Sequence, residues 1–183
     1  MGRNLAAYRV KKKLPDSVTP GLMNHPQRYS NLPFPAYRFV PGRAPHPTRD
    51  PDGHSYGKQP ELLPAFQAEE WRNCIPYLYG IDLFNHEYWW EAHESLEAVW
   101  VAAGRDSQTG QFLQGLIQIA VAHLKQHQGF TDVARRMAKT GIEKIEPVGA
   151  SYMGIDVNRL RTDVQNFMEN KSHPHVLIVL DQD

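Results

Sequence analysis

The stretch Phe84-Asn85-His86-Glu87-Tyr88-Trp89-Trp90-Glu91-Ala92-His93-Glu94-Ser95-Leu96-Glu97-Ala98-Val99-Trp100 decides how this chain is read. It sets three tryptophans, two histidines and four glutamates within roughly five helical turns, more polar chemistry than a purely structural helix needs. At 100° per residue, Ala92, Leu96, Val99 and Ala103 fall on one apolar stripe, while Trp90, His93, Glu94, Glu97 and Val101 share a different face. Asn85 is the expected N-cap of a helix over 86–103, with Glu87 in its first turn and Gly104 just past its end.

Working outward, Trp71, Cys74, Leu78 and Ile81 follow a spacing of three and four. That spacing predicts a first helix near 66–84, kinked or split by Pro76. Asp106 or Ser107 caps a third helix running to about Gln128, where Gly129 stops it. Thr131 caps a fourth over about 132–146, ended by Pro147 and Gly149, and Asp156 caps a fifth over about 157–169 with Leu160, Val164, Phe167 and Met168 as its apolar stripe. Short connections between five such helices make an all-α bundle. The expected organisation is a helical domain over 65–170 and a tail over 171–183. In the tail, the apolar run His175-Val-Leu-Ile-Val-Leu180 either adds an edge strand against Arg38-Phe39-Val40 or packs into a groove, with the groove preferred.

Residues 1–64 hold eleven of the 14 prolines, which interrupt any helix or ladder. They read as a long Pro-rich arm wrapping the body, with residues 1–30 mobile and 34–57 docked through Phe34, Tyr37 and Phe39. The charge is divided in the same way. Residues 1–50 carry nine Lys/Arg against Asp16 and Asp50, leaving eleven against eighteen for the rest, although the chain balances at 20 each. A basic arm beside an acidic body lies on its own domain or on a second copy, so a homo-oligomer is one expectation and nucleic acid the least favoured partner.

Of 183 residues, one is a cysteine, so neither an internal disulfide nor a thiolate zinc knuckle can form. No apolar run approaches the length of a signal peptide core or a membrane span. The expectation is a cytoplasmic protein without a membrane partner.

The spacing His93-Glu94-x-x-Glu97 differs at one position from the zinc-protease pattern His-Glu-x-x-His. It places His93 and Glu97 one turn apart, able to share a divalent ion such as zinc, manganese or iron, with Glu94 as general base. His123, or His46 or His54 from the arm, would complete the ligands. Gln114 and Gln118, one turn apart in an apolar helix, need polar partners. Glu94 and Glu97 are the natural ones, so the same residues also read as a buried structural network. Glu91 lies round the helix from Glu97 and is solvated or bonded to the arm. Gln114, Gln118, Glu91, Asn85, His46, His54 and Arg43 are therefore candidates for touching a substrate or supporting the ligands. The di-iron bundle pattern needs two Glu-x-x-His pairs, and the residues three before His86, His93, His123 and His127 are Leu83, Trp90, Ala120 and Leu124. Ser55 and Ser95 stand without a base and orienting acid in the sequence, and Cys74 reads as packing.

The run Leu83–Trp100, followed by Phe112-Leu113-Gln114-Gly115-Leu116-Ile117-Gln118, resembles the family catalogued as domain of unknown function 309, over about residues 70–146. Tyr37–Arg43 and Pro45-His46-Pro47 through Gly53-His54-Ser55 resemble an N-terminal extension of some relatives. The resemblance implies a compact all-α fold and a metal-dependent hydrolase activity. Where relatives usually carry a small residue, often glycine, this chain has Glu87. Two functions follow as expectations: a metal-dependent hydrolase of a small-molecule substrate, or a non-enzymatic helical module that binds a ligand or partner.

Overall fold

The computed structural model describes residues 25–59, 62–169 and 175–181. Most of them are helical: α1 (Ile75–Asn85), α2 (Trp89–Ala103), α3 (Gln108–His127), α4 (Thr131–Ile145) and α5 (Val157–Glu169). The all-α bundle expected from the sequence is the observed fold, with each helix packed on the next from α1 to α4 and α5 closing against α4. A 3-10 turn over Ala68–Asn73 precedes α1. Pro76 therefore splits the helix expected over 66–84 rather than kinking it. It sits in the first turn of α1, where its missing N–H would have no helical partner anyway.

Tyr77, Phe84, Leu96, Phe112, Leu116, Ile119 and Ile145 form the fully buried centre. Ser107 caps α3, its hydroxyl accepting from Gly110 N at 2.9 Å, and Asp156 caps α5 through Arg159 N at 2.9 Å. The helix that meets Gly115 is α4. A Cβ on Gly115 would stand 2.8 Å from Gly141 O and 2.6 Å from Ile145 Cγ2, so the two backbones touch at this pair of glycines.

The start of α2 corrects the sequence reading. Asn85 is not its cap but the last residue of α1, 3% exposed, and Glu87 occupies the intervening turn at φ +67°. A positive φ costs an ordinary side chain about 1 kcal/mol or more and costs glycine little, so Glu87 holds this turn at a cost that glycine would not have.

The arm crosses α1 and α2. Asp82, fully buried in α1, accepts from Tyr29 N (2.7 Å), Ser30 N (2.9 Å), Ser30 Oγ (2.6 Å) and Arg28 Nε (3.0 Å). Residues 28–30, at the end of the segment expected to be mobile, are thus anchored, while that expectation for residues 1–24 lies outside the described residues. Farther on, Tyr79 donates its hydroxyl to Pro33 O at 2.8 Å, and Phe34 stacks on Tyr88 with centroids 5.1 Å apart. Between α4 and α5, strands β1 (Ser151–Tyr152) and β2 (Ile155–Asp156) form a two-residue antiparallel hairpin. The tail runs beside it in a groove, with Val176, Ile178 and Leu180 buried and Leu177 and Val179 exposed. Among the described residues, its one bridge is from Leu180 to Ile155, and none is made to residues 38–40.

Candidate functional site

Helix α2 presents three faces, and each carries a different part of the expected site. The stripe Ala92, Leu96 and Val99 is fully buried against the bundle, as the spacing requires. The second face carries His93, Glu94 and Glu97. His93 Nδ1 lies 3.5 Å from Glu94 Oε1, and Nε2 lies 3.8 Å from Glu97 Oε2. One ligating atom from each of the three can be chosen so that all lie within 4.8 Å of one another. Both carboxylates are about half exposed, at 47% and 46%, against 22% for the His93 side chain.

That exposure corrects the buried-network reading. Among the described residues no hydrogen bond joins Glu94 or Glu97 to Gln114 or Gln118, and Gln118 Oε1 is itself buried without a partner. His93 Nδ1 is likewise buried without a hydrogen bond, its approach to Glu94 Oε1 being 3.5 Å. A closed polar network would pair such a nitrogen, and the three residues are grouped closely enough that they could hold a metal ion.

His123 is also corrected, since it does not join this cluster. It is fully buried in the core, its Nδ1 bonded to Ile119 O at 2.8 Å and its ring stacked on Phe167 (4.3 Å) and edge-on to Phe84 (5.0 Å). Burial among these rings, outweighing the bond to Ile119 and reinforced by His175, pulls its pKa down from 6.5 to about 4. Asn85 is spent on the tail, and Arg43 is exposed, with no side-chain bond to the cluster among the described residues. His46 packs edge-on to Trp90, which in turn stands edge-on to His93, so an indole separates the two imidazoles.

The third face of α2 is Glu91, 6% exposed and bonded to the arm, one of its two expected places. Its Oε1 accepts from Phe39 N at 2.9 Å and pairs with His54 Nε2 at 3.1 Å, while Oε2 is buried without a partner. The other nitrogen of His54, Nδ1, lies 2.9 Å from Ser55 Oγ. The sequence offers no sign of this chain of contacts, because Glu91 is 37 residues away and only the folded arm brings it near. Glu91, Glu94, His54, Ser55 and Ser95 all line one groove of about 740 Å³ between the arm and α1–α2, within the size range of small-molecule sites.

Residues 77–137 match the family model described as Domain of unknown function (DUF309). The resemblance read from the sequence is thus borne out over the segment running from α1 into α4. That DUF309 segment contains His93, Glu94 and Glu97 but not His54 or Ser55. No curated protein matches the chain. Among the described residues, no helix is long and apolar enough to cross a membrane.

Proposed function

We propose that the protein is a divalent-cation-dependent hydrolase whose cation is held by His93 and Glu97, with Glu94 beside them. The observation that carries this reading is that one ligating atom from each of His93, Glu94 and Glu97 can be chosen so that all three lie within 4.8 Å of one another. A mixed nitrogen and carboxylate set suits zinc, manganese or iron. When bound, such an ion supplies Lewis acidity and activates water.

The chain's own residues do the rest. The i, i+4 spacing on one rigid helix fixes His93 and Glu97 relative to each other without help from a loop. Glu94, half exposed and bordering the groove, is placed to take a proton from water entering with the substrate. Trp90 covers the flank of His93, their rings 5.3 Å apart, and limits solvent on that side. The groove is lined by Leu32, Phe34, Leu63 and Ala98 as well as by the polar groups, which supports a small, partly apolar substrate.

Metal analysis of protein purified without a histidine tag tests the proposal. The expected result is close to one equivalent of metal and a rise in melting temperature on adding zinc, manganese or iron, both lost in His93→Ala. Metal-free protein that shows no thermal shift with any of the three would rule the reading out.

A further inference from the structure

We propose that Ser55, His54 and Glu91 form a second, cation-independent site, in which Ser55 is an acyl-accepting nucleophile for esters of small apolar acids. This goes beyond the cation site on the neighbouring face of α2 and does not depend on it. Three observations point the same way.

The first is the order of the contacts. Glu91 Oε1 already accepts from Phe39 N and meets His54 Nε2 at 3.1 Å. A carboxylate oxygen can only accept, so the proton of the neutral imidazole resides on Nε2 and Nδ1 carries the lone pair. That lone pair faces Ser55 Oγ at 2.9 Å, which is the relation of nucleophile, base and orienting acid that serine hydrolases use on unrelated folds. Here the two imidazole nitrogens exchange their usual places.

The second is the burial of the acid. Glu91 is 6% exposed and its Oε2 has no partner, so little water competes with His54 for this carboxylate.

The third is rigidity and access. His54 is held by the Tyr37 ring, 4.7 Å away, and its backbone N–H donates to Tyr37 Oη at 3.3 Å. Ser55 N donates to Pro47 O at 2.9 Å, and Gly53 lies so close to His46 O that a Cβ would stand 2.3 Å from it. The loop is thus packed tightly while Ser55 lines the groove.

In the reaction, Ser55 Oγ attacks the ester carbonyl carbon and its proton passes to His54 Nδ1. The carbon–oxygen bond to the leaving alcohol breaks, and that alcohol departs with the proton from Nδ1. Water then attacks the acyl-serine, giving a proton to Nδ1 that returns to Ser55 Oγ as the acid leaves. The sum is ester plus water to acid plus alcohol. Ser55 and His54 are the catalytic residues and Glu91 is a positioning residue.

The test treats the full-length protein, in the presence of EDTA, with a fluorophosphonate and with p-nitrophenyl butyrate. Expected are a single fluorophosphonate adduct mapped to Ser55 by peptide mass analysis and ester turnover at least a hundredfold lower in Ser55→Ala. Because Ser55 is half-buried at the groove rather than in the core, Ser55→Ala should melt within a few degrees of wild type. Glu91→Gln keeps an acceptor oxygen but removes the charge, and it should slow labelling at least tenfold while the circular dichroism spectrum stays native. Labelling that vanishes on chelation assigns the reactivity to the cation cluster and overturns the proposal. So does labelling of Ser55 no faster than of other serines, or turnover unchanged in Ser55→Ala.

Discussion

The side-chain amide of Asn85 pairs with the backbone of Ile178 at both ends: Oδ1 accepts from Ile178 N at 2.7 Å and Nδ2 donates to Ile178 O at 2.8 Å. One residue of α1 thereby acts as the neighbouring strand for a tail that, among the described residues, has a single bridge of its own, to Ile155. Both backbone groups are otherwise buried without a partner. Asn85→Ala should therefore cost about 2–4 kcal/mol, read as a lower midpoint in urea unfolding.

His123 makes stability pH-dependent. The unfolded chain protonates this histidine near 6.5, whereas the folded core holds it neutral down to about 4. Between those values the unfolded state binds the extra proton, so the contribution of neutral His123 is present above 6.5 and is lost as pH falls toward 4. The full loss is about 3 kcal/mol. His123→Phe, whose ring can keep the stack on Phe167, should flatten the change in unfolding free energy measured between pH 7 and 4.5.

The crossing of α3 on α4 leaves no room at Gly115. In Gly115→Ala, the added methyl meets the Gly141 carbonyl at 2.8 Å and Ile145 Cγ2 at 2.6 Å, and a helix backbone yields little. The gain in helix propensity is about 1 kcal/mol and the overpacking cost is about 1–3 kcal/mol. Thermal unfolding should accordingly show a net loss of about 1 kcal/mol.

Glu87 sets backbone strain against an ion pair with Arg38 and a polar contact with His175. It adopts φ +67° while pairing with Arg38 and meeting His175 at 3.1 Å. Exposed pairs of this kind contribute about 0–1 kcal/mol and are screened by salt. Glu87→Gly should therefore be close to neutral at low ionic strength and about 1 kcal/mol more stable than wild type in 1 M NaCl. Denaturation at both salt concentrations checks the reversal.

Much of this was legible in the chain because it depends on neighbours in sequence. The apolar stripe Ala92, Leu96, Val99 and the Ser107 and Asp156 caps follow from helical period and local hydrogen bonding. The proximity of His93 to Glu94 and Glu97 belongs to the same class, since it is built within one turn or so of one helix.

Other features stayed hidden because they depend on contacts across tens of residues. Asn85 has the chemistry of a cap, yet the tail about ninety residues later claims its amide. His123 reads from the sequence alone more as a core histidine than as a ligand, and its enclosure by Phe84 and Phe167 decides for the core. Ser55 looked isolated until the docked arm set His54 against Glu91.

The sequence by itself determined that the fold is a helical bundle, the Ser107 and Asp156 caps and the His-Glu-Glu face of α2, because these are set by periodicity and by side chains bonding to their own turn. The starts of α2 and α4, by contrast, differ from the Asn85 and Thr131 caps expected. Only the tertiary structure decided which buried polar groups met. Desolvation forces each such group toward whatever partner packing brings within reach, and the pairs Asn85–Ile178, Asp82–Ser30 and Glu91–His54 exist only once arm, bundle and tail are folded together.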